Sequence, residues 1–245
     1  MRYDTRYRSF NYSSYFPAGV KWLLISNIAI FLLSYIGGSA LAPHLRLLAL
    51  TPIAVVDHFA IWQLFTYMFL HGSIEHILLN MLSLWMFGMT IEQDWGTRRF
   101  LKYYFLCGVG AGICDVAVRE ILRVNLSDPT LGASGAIFGL LLAFGVLYPN
   151  QTVLFFFIFP MQAKYMVMIV GAIAFLGAMN VNSGVSDIAH LGGMAFGYAY
   201  LRLRFMRIDV HYFRREYEAW KLRRAKKRFQ VYMRKHGSDR DRFVN

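Results

Sequence analysis

Two short segments carry residue types that could perform nucleophilic chemistry. Ser134 lies in the segment Gly132–Gly135 (GASG), and His190 lies in the segment Ala189–Gly197 (AHLGGMAFG). A serine and a histidine are the parts needed to make an alkoxide nucleophile and to take up its proton. Each segment opens a stretch that is apolar enough to lie in a membrane, where a histidine is costly to place. This combination predicts hydrolysis by a Ser134–His190 pair within a bilayer.

Glycines surround both candidate residues. Gly132 and Gly135 flank Ser134, and small residues let a neighbouring backbone approach while the hydroxyl stays uncovered. Free backbone N–H groups at a helix start would face an oxyanion that forms beside the serine. Gly193 and Gly197 form a Gly-x-x-x-Gly pair on one face after His190. The alternative for each segment is structural, with a serine at a packing face and a buried histidine that bonds a carbonyl.

A third polar group opens the second apolar stretch. His76 and Asn80 are four residues apart and therefore share a helical face, from which both could donate a hydrogen bond to an oxyanion. A polar pair packed inside the bundle is the structural alternative. His71 and Glu75 with His76 could also suggest a metal, but their spacing fits neither His-Glu-x-x-His nor its inverted form. We therefore predict no metal and no cofactor.

The composition requires elements that place these residues in a membrane. The chain is 57% hydrophobic and only 16% charged, against about a quarter charged in soluble domains. Several of the apolar segments are shorter than the ~20 residues that span a bilayer unaided. The six predicted helices are approximately 22–36, 74–90, 100–118, 134–147, 165–179 and 189–203. Thr152–Met161, which contains Pro160, is predicted to be an interfacial loop.

The distribution of Lys and Arg predicts the orientation. With six spans and a cytoplasmic N-terminus, 23 of the 26 basic residues fall on the inside, as the positive-inside rule requires. Both termini are then cytoplasmic, and Ser134 and His190 both lie toward the outer leaflet. We expect a bacterial inner membrane, because no organellar transit segment is visible and the chain is minimal.

The charge pattern divides the chain into three predicted regions. These are a cytoplasmic N-terminal segment, 1–19, a transmembrane domain, 20–204, and a basic amphipathic cytoplasmic tail, 205–245. From position 201 onward there are 15 Lys/Arg against 5 Asp/Glu. Next to a membrane helix, such a stretch more often faces anionic lipid than nucleic acid. We therefore predict membrane lipid as a partner of the tail and no nucleic acid.

The motifs occur in an order that is typical of one family. His76 with Asn80, the segment around Ser134 and the segment around His190 resemble the motifs of rhomboid intramembrane serine proteases on the second, fourth and sixth helices. The resemblance covers residues 20–204. It implies an all-α membrane protein built as a six-transmembrane-helix bundle. It also implies a Ser134–His190 dyad with no third acid, and stabilisation of the oxyanion by His76, Asn80 and the Ser134 N–H.

The resemblance extends to residues around the dyad. It implies that Gly132 lies in the loop before the nucleophile and that Phe138 packs against the His190 ring. Trp62-Gln63 stands where the family carries Trp-Arg, which leaves the role of that arginine open. The fifth helix and the loop before the sixth would form a lateral gate. Asp187, three residues before His190, is interpreted as an acid favourable to the helix dipole rather than as a third catalytic group.

The resemblance implies an intramembrane serine endopeptidase. Its substrates would be membrane proteins whose transmembrane segment is cut near its outer end, beside small side chains. The alternative is a catalytically silent relative that binds membrane helices. An unrelated transporter would need charges near mid-membrane on several helices, and the one charge seen is Asp115, toward the outer end of the third helix.

Overall fold

The computed structural model describes residues 16–155, 158–179 and 185–236, and most of them are helical. The predicted N-terminal segment 1–19 and the end of the predicted tail lie largely outside the described residues. The loop before the last helix lies outside them as well. The helices are α1 Ala18–Arg46, α2 Pro52–Asp57, α3 Gln63–Thr66, α4 Ile74–Ser83, α5 Met89–Trp95, α6 Thr97–Leu122, α7 Ser134–Leu147, α8 Ala163–Met179 and α9 Val185–His236.

The first helix is longer than predicted and is fastened at its start. α1 follows Pro17 and contains a break at Gly38, whose φ is 47°. The Glu92 carboxylate accepts hydrogen bonds of 2.7 Å from the backbone N–H groups of Gly19 and Val20. These are N–H groups that a helix start otherwise leaves unpaired. A buried carboxylate in the first turn of α5 therefore caps α1 and joins the two helices.

The second predicted span is one continuous helical path with a local irregularity. A single π-helical stretch, Leu84–Gly88, joins α4 to α5. The Ser73 hydroxyl accepts a hydrogen bond from the backbone N–H of His76 and caps the start of α4. The path ends at Gly96, whose φ of 77° suits glycine. This start places His76 and Asn80 in the first two turns.

Two helical paths are long and apolar enough to cross a membrane by themselves among the described residues. They are Ala18–Arg46 and Ile74–Trp95, while α7 and α8 are apolar but shorter. α7 is hydrophobic on all sides, and Ala136, Leu140 and Ala143 are almost completely buried. A helix of this kind belongs in the centre of a bundle, where its first residue, Ser134, is surrounded by other helices.

The predicted interfacial loop Thr152–Met161 contains regular structure. Strand β1, Thr152–Phe155, pairs antiparallel with strand β2, Phe159–Gln162. Pro160 lies opposite Leu154 and has no N–H to donate, which a two-stranded ribbon tolerates because each strand is an edge. The hairpin leads directly into α8.

The chain divides into two compact units at Ala199 and Tyr200. The first unit contains α1 to α8, the hairpin and the beginning of α9. The second contains the remainder of α9. There, Tyr217 stacks on Trp220 with ring centroids 6.0 Å apart, and the Arg224 guanidinium lies 5.2 Å from the Trp220 ring. Described side chains of this unit between 217 and 230 are exposed.

Candidate active site

Ser134 and His190 meet although 56 residues separate them. Ser134 is the first residue of α7, and His190 lies in the second turn of α9. The Ser134 Oγ is 2.8 Å from His190 Nε2, which is hydrogen-bond distance. Both side chains are partly buried. This contact can pass a proton from the hydroxyl to the imidazole.

The His190 ring is held on two further sides. The Phe138 ring stacks on it in parallel, with centroids 4.0 Å apart. The second ring nitrogen, Nδ1, lies 3.5 Å from Oδ1 of Asp187. The stacked ring restricts rotation of the imidazole, so that Nε2 stays aligned with Ser134.

Close helix packing brings the two residues together. A Cβ on Gly135 would lie 2.5 Å from the Cβ of Ala111 in α6, and a Cβ on Gly193 would overlap the carbonyl of Gly135. A Cβ on Gly197 would lie 2.5 Å from the Tyr103 hydroxyl. The contact between α6, α7 and α9 therefore depends on residues without a side chain.

His76 and Asn80 converge on the residue two places before the nucleophile. Gly132 has a φ of 114°, a conformation that favours glycine. A Cβ there would lie 2.6 Å from His76 Nε2 and 3.5 Å from Asn80 Nδ2. The Asn80 Nδ2 is buried and makes no hydrogen bond within the described residues. A buried amide without an acceptor can donate to a negative charge that forms beside Ser134.

These polar groups open into an otherwise apolar cavity. Its volume is about 560 Å³, within the range of ligand-binding clefts. His76, Asn80, Ser134 and His190 provide polar groups. The remaining walls come from α4, the π-helical stretch, α7, α8 and the hairpin; they include Leu79, Met86, Ile137, Leu154, Met166 and Ile173. The shape and lining suit an apolar chain whose polar backbone meets the serine.

His71, Glu75 and His76 are the residues of the metal-ligand alternative. His71 and His76 meet edge to face with centroids 5.0 Å apart, while Glu75 is exposed. Among the described residues, no three His, Cys, Asp or Glu side chains are grouped as metal ligands. His71, in the loop before α4, is buried, and this burial together with the neighbouring His76 lowers its pKa to about 4. His71 is therefore a neutral packing group at pH 7.

Gln63, where the resemblance led us to expect an arginine, is hydrogen-bonded to the segment between α1 and α2. Its Oε1 accepts a 3.0 Å hydrogen bond from the Thr51 N–H, and its Nε2 donates to the Leu47 carbonyl at 3.2 Å. The Trp62 indole donates to the same carbonyl at 2.9 Å. Gln63 is only 3% exposed. The neutral amide thus ties the start of α3 to the segment between α1 and α2. These partners are backbone groups, and none of them is an acid that could pair with a cation.

A buried ion pair supports the loop before the nucleophile, and the sequence interpretation missed it. Arg119 donates to the Asp115 carboxylate and to the Thr130 hydroxyl, both at 3.1 Å. It also donates to the backbone carbonyls of Asn125 and Asp128. Thr130 in turn donates 2.9 Å to Asp115. The i, i+4 spacing of two opposite charges on an apolar helix was the available signal.

A second set of contacts holds the same loop. The backbones of Thr130 and Leu50 exchange hydrogen bonds of 2.8 and 3.1 Å, and the Gly132 N–H donates 3.0 Å to the Tyr67 carbonyl. The Tyr67 hydroxyl donates 2.7 Å to the Gly108 carbonyl of α6. The backbone that leads into Ser134 is therefore fixed at three points.

The fold and the site define a class of protein. It is a helical membrane protein in which a hydrogen-bonded serine and histidine line an apolar cavity. The sequence model of the Rhomboid domain matches residues 58–207, more than half of the chain. The chain therefore belongs to the rhomboid family, a family of integral membrane proteins that includes intramembrane proteases.

Individual relatives come from bacteria and eukaryotes. The chain is 32% identical over 134 residues to Rhomboid protein 1, mitochondrial, of Saccharomyces cerevisiae. This match covers 54% of this chain and 38% of that protein. It is 28% identical over 177 residues to Rhomboid protease GluP of Bacillus subtilis, and this match covers 72% of this chain and 32% of that protein. It is 31% identical over 140 residues to Putative rhomboid protease YdcA of Bacillus subtilis, and this match covers 56% of this chain and 64% of that protein. The matched stretches thus span from about a third to two thirds of these relatives.

Proposed function

We propose that this protein is an intramembrane serine endopeptidase that acts through a Ser134–His190 dyad. The observation that carries the proposal is the 2.8 Å contact between Ser134 Oγ and His190 Nε2 at an apolar cavity. A serine near its usual pKa is a weak nucleophile, and an adjacent base activates it. Membership of a family with proteases among its named members supports the same chemistry.

The reaction begins with attack on a peptide carbonyl. His190 Nε2 takes the proton of the Ser134 hydroxyl while Oγ bonds to the carbonyl carbon. The carbonyl oxygen becomes an oxyanion, and donors from the His76 ring, the Asn80 amide and the Ser134 N–H stabilise it. One such donor typically contributes about 10²–10³-fold to kcat. The unpaired Asn80 Nδ2 supports its place in this set.

The second half of the reaction restores the serine. Protonated His190 gives its proton to the leaving amine, which departs and leaves an acyl-enzyme on Ser134. A water molecule, deprotonated by His190, then hydrolyses that ester and releases the acid product. An imidazolium is costly in hydrocarbon, so the proposal requires water to reach the site.

The lining of the cavity supports a membrane-embedded substrate. Apolar side chains of α4, α7 and α8 provide most of its walls, and these suit a transmembrane segment. Such a segment must unwind locally, because a helical peptide bond is hydrogen-bonded and shielded. We propose cleavage near the outer end of that segment, beside small side chains, in a six-helix protein with both termini in the cytoplasm. The distribution of Lys and Arg supports this orientation, and a bacterial inner membrane remains the expected location.

Cleavage of a defined substrate tests the proposal. The purified protein in detergent micelles is incubated with a single-span membrane protein that has small residues near its outer end. Ser134→Ala and His190→Ala are expected to abolish cleavage, and Asn80→Ala to reduce kcat by about 10²-fold. Ser34→Ala and His44→Ala are matched controls, because both residues lie in α1, away from the cavity.

The controls and a chemical label separate the two candidate functions. Cleavage that survives Ser134→Ala would refute the serine mechanism. A serine-directed phosphonate should label the folded parent and not Ser134→Ala. A folded parent that retains membrane helices but neither cleaves nor reacts would instead identify a silent binding protein.

A further inference from the structure

A carboxylate faces the side of His190 that is turned away from the nucleophile. Asp187 lies in the first turn of α9, and its Oδ1 is 3.5 Å from His190 Nδ1. The side chains are 24% and 16% exposed, respectively, so water screens the pair only in part. With Nε2 on Ser134, the imidazole lies between a hydroxyl and a carboxylate.

The Asp187 carboxylate packs against α8 at Gly177, which has no side chain to exclude it. A Cβ on Gly177 of α8 would overlap Asp187 Oδ2 and lie 2.6 Å from its Cγ. Gly177 has an ordinary helical conformation, so its lack of a side chain matters here for space. The Asp187 carboxylate is therefore confined between α8 and the His190 ring rather than turned freely into solvent.

We propose that Asp187 is a positioning residue for His190, an assignment that rests on the proposed Ser134–His190 chemistry. The carboxylate holds the Nδ1 proton on its own side, and the lone pair of Nε2 then faces the Ser134 hydroxyl. This is the tautomer in which His190 can act as a base. Asp187 keeps its favourable interaction with the helix dipole, and it also orients the His190 ring.

The proton balance of the step is simple. The Ser134 proton moves to Nε2 as the Oγ electron pair attacks the carbonyl carbon, and the Nδ1 proton stays between His190 and Asp187. The ring is then an imidazolium beside a carboxylate. His190 Nδ1 and Asp187 Oδ1 form an ion-pair contact at rest, and catalytic contacts that are long in a resting enzyme tighten when the substrate binds and reacts. The 3.5 Å separation therefore suits a contact that strengthens during the reaction.

The helices around His190 carry few other ionisable groups among the described residues. His76 of α4 and Asp115 of α6 both interact electrostatically with His190. Asp115 is already bound by the Arg119 guanidinium. α7 contains no charged residue, and α8 carries its ionisable side chains, Lys164 and Tyr165, in its first turn.

Four variants test the assignment by the kinetics of the full-length protein in micelles. Asp187→Asn should lower kcat by about 10- to 100-fold, with KM within about twofold. The acidic limb of its pH–rate profile should move towards lower pH, because the carboxylate no longer favours the imidazolium. Asp187→Glu should restore part of the parent's kcat and part of its pH profile. Gly177→Ala, which displaces the carboxylate without removing it, should change rate and pH profile in the same direction.

Gly171→Ala is the matched control on the same helix. A Cβ there would meet only the flexible end of Met194, at 3.3 Å, and activity should be unchanged. A merely structural role for Asp187 would lower activity without moving the pH profile. Parent-like kcat and pH dependence in Asp187→Asn would overturn the proposal. If that variant does not fold, the comparison of Gly177→Ala with Gly171→Ala decides.

A spectroscopic measurement separates this inference from the proposed function. The ¹⁵N chemical shifts of the His190 ring report which nitrogen carries the proton, whether or not a substrate is cut. The parent should carry it on Nδ1, and Asp187→Asn should show a mixture of tautomers. If the parent cleaves no substrate but shows these two tautomer results, the proposed protease function is refuted and the positioning role of Asp187 stands. An unchanged tautomer in Asp187→Asn would refute the positioning role alone.

Discussion

Gly193→Ala provides a sharp test of how helix packing creates the site. A Cβ at this position of α9 would overlap the carbonyl oxygen of Gly135 in α7 and lie 2.7 Å from its carbonyl carbon. Carbon atoms in contact are normally separated by about 3.5 Å. Both groups belong to helix backbones, so no side chain can rotate out of the way. The helices must therefore separate locally by at least about 0.8 Å, the shortfall for the carbonyl carbon, and further to clear the oxygen.

The separation acts directly on the proposed dyad. Ser134 precedes Gly135 by one residue, and His190 lies one helical turn before Gly193. The Oγ–Nε2 distance of 2.8 Å would increase to about 3.6 Å or more if the separation lies along it, beyond hydrogen-bond range. A misplacement of about 1 Å can cost about 100-fold in rate. Alanine favours a helix by about 1 kcal/mol over glycine, so without the overlap the substitution would stabilise the protein.

The assay compares the parent, Gly193→Ala and Gly171→Ala in the same micelles. We expect Gly193→Ala to reduce both the rate of phosphonate labelling at Ser134 and the rate of substrate cleavage by about 100-fold. Gly171→Ala makes the same chemical change where only a methionine must move, and it should leave both rates unchanged. A Gly193→Ala protein that labels within threefold of the parent would show that the geometric argument is wrong.

Three further predictions concern the scaffold. Arg119→Met should lower the free energy of unfolding by about 3–5 kcal/mol, because it leaves buried Asp115 without its cation; adding Asp115→Asn should recover part of the loss in a denaturation assay, and an additive loss would contradict the ion-pair account. Glu92→Gln should cost about 1–3 kcal/mol in the same assay, because an amide cannot accept from both N–H groups at the start of α1; an unchanged midpoint would refute the capping role. His71 has a pKa of about 4 against a usual 6.5, so between these values the unfolded chain binds a proton that the folded chain does not. Stability therefore falls as pH decreases from 6.5 towards 4, by up to about 3 kcal/mol from this residue; His71→Phe should reduce the difference in melting temperature between pH 7.5 and pH 4.5, and an equal difference in both proteins would exclude His71 as its source.

The sequence by itself determined the residue types and the family. The composition pointed to a membrane-embedded helical protein, and the order of three motifs pointed to the rhomboid family, to which the chain belongs. The start of α7 at Ser134 was also predicted correctly, because the residues before it are small or turn-forming and those after it are apolar. These properties depend on local composition and spacing, which a linear pattern records.

Contacts between distant residues were decided by the tertiary structure. Asp115 was visible as a lone charge and Arg119 as an outer one, yet their contacts with the loop 125–130 depend on how that loop folds back over α6. Likewise, the spacing of Asp187 and His190 on one helix did not reveal that Gly177 of α8 leaves the carboxylate its position. The sequence specified a serine and a histidine, and packing of glycines between α6, α7 and α9 brought them within 2.8 Å. Such packing depends on helix separations that are close to the size of a single methyl group, and no periodicity along the chain encodes them.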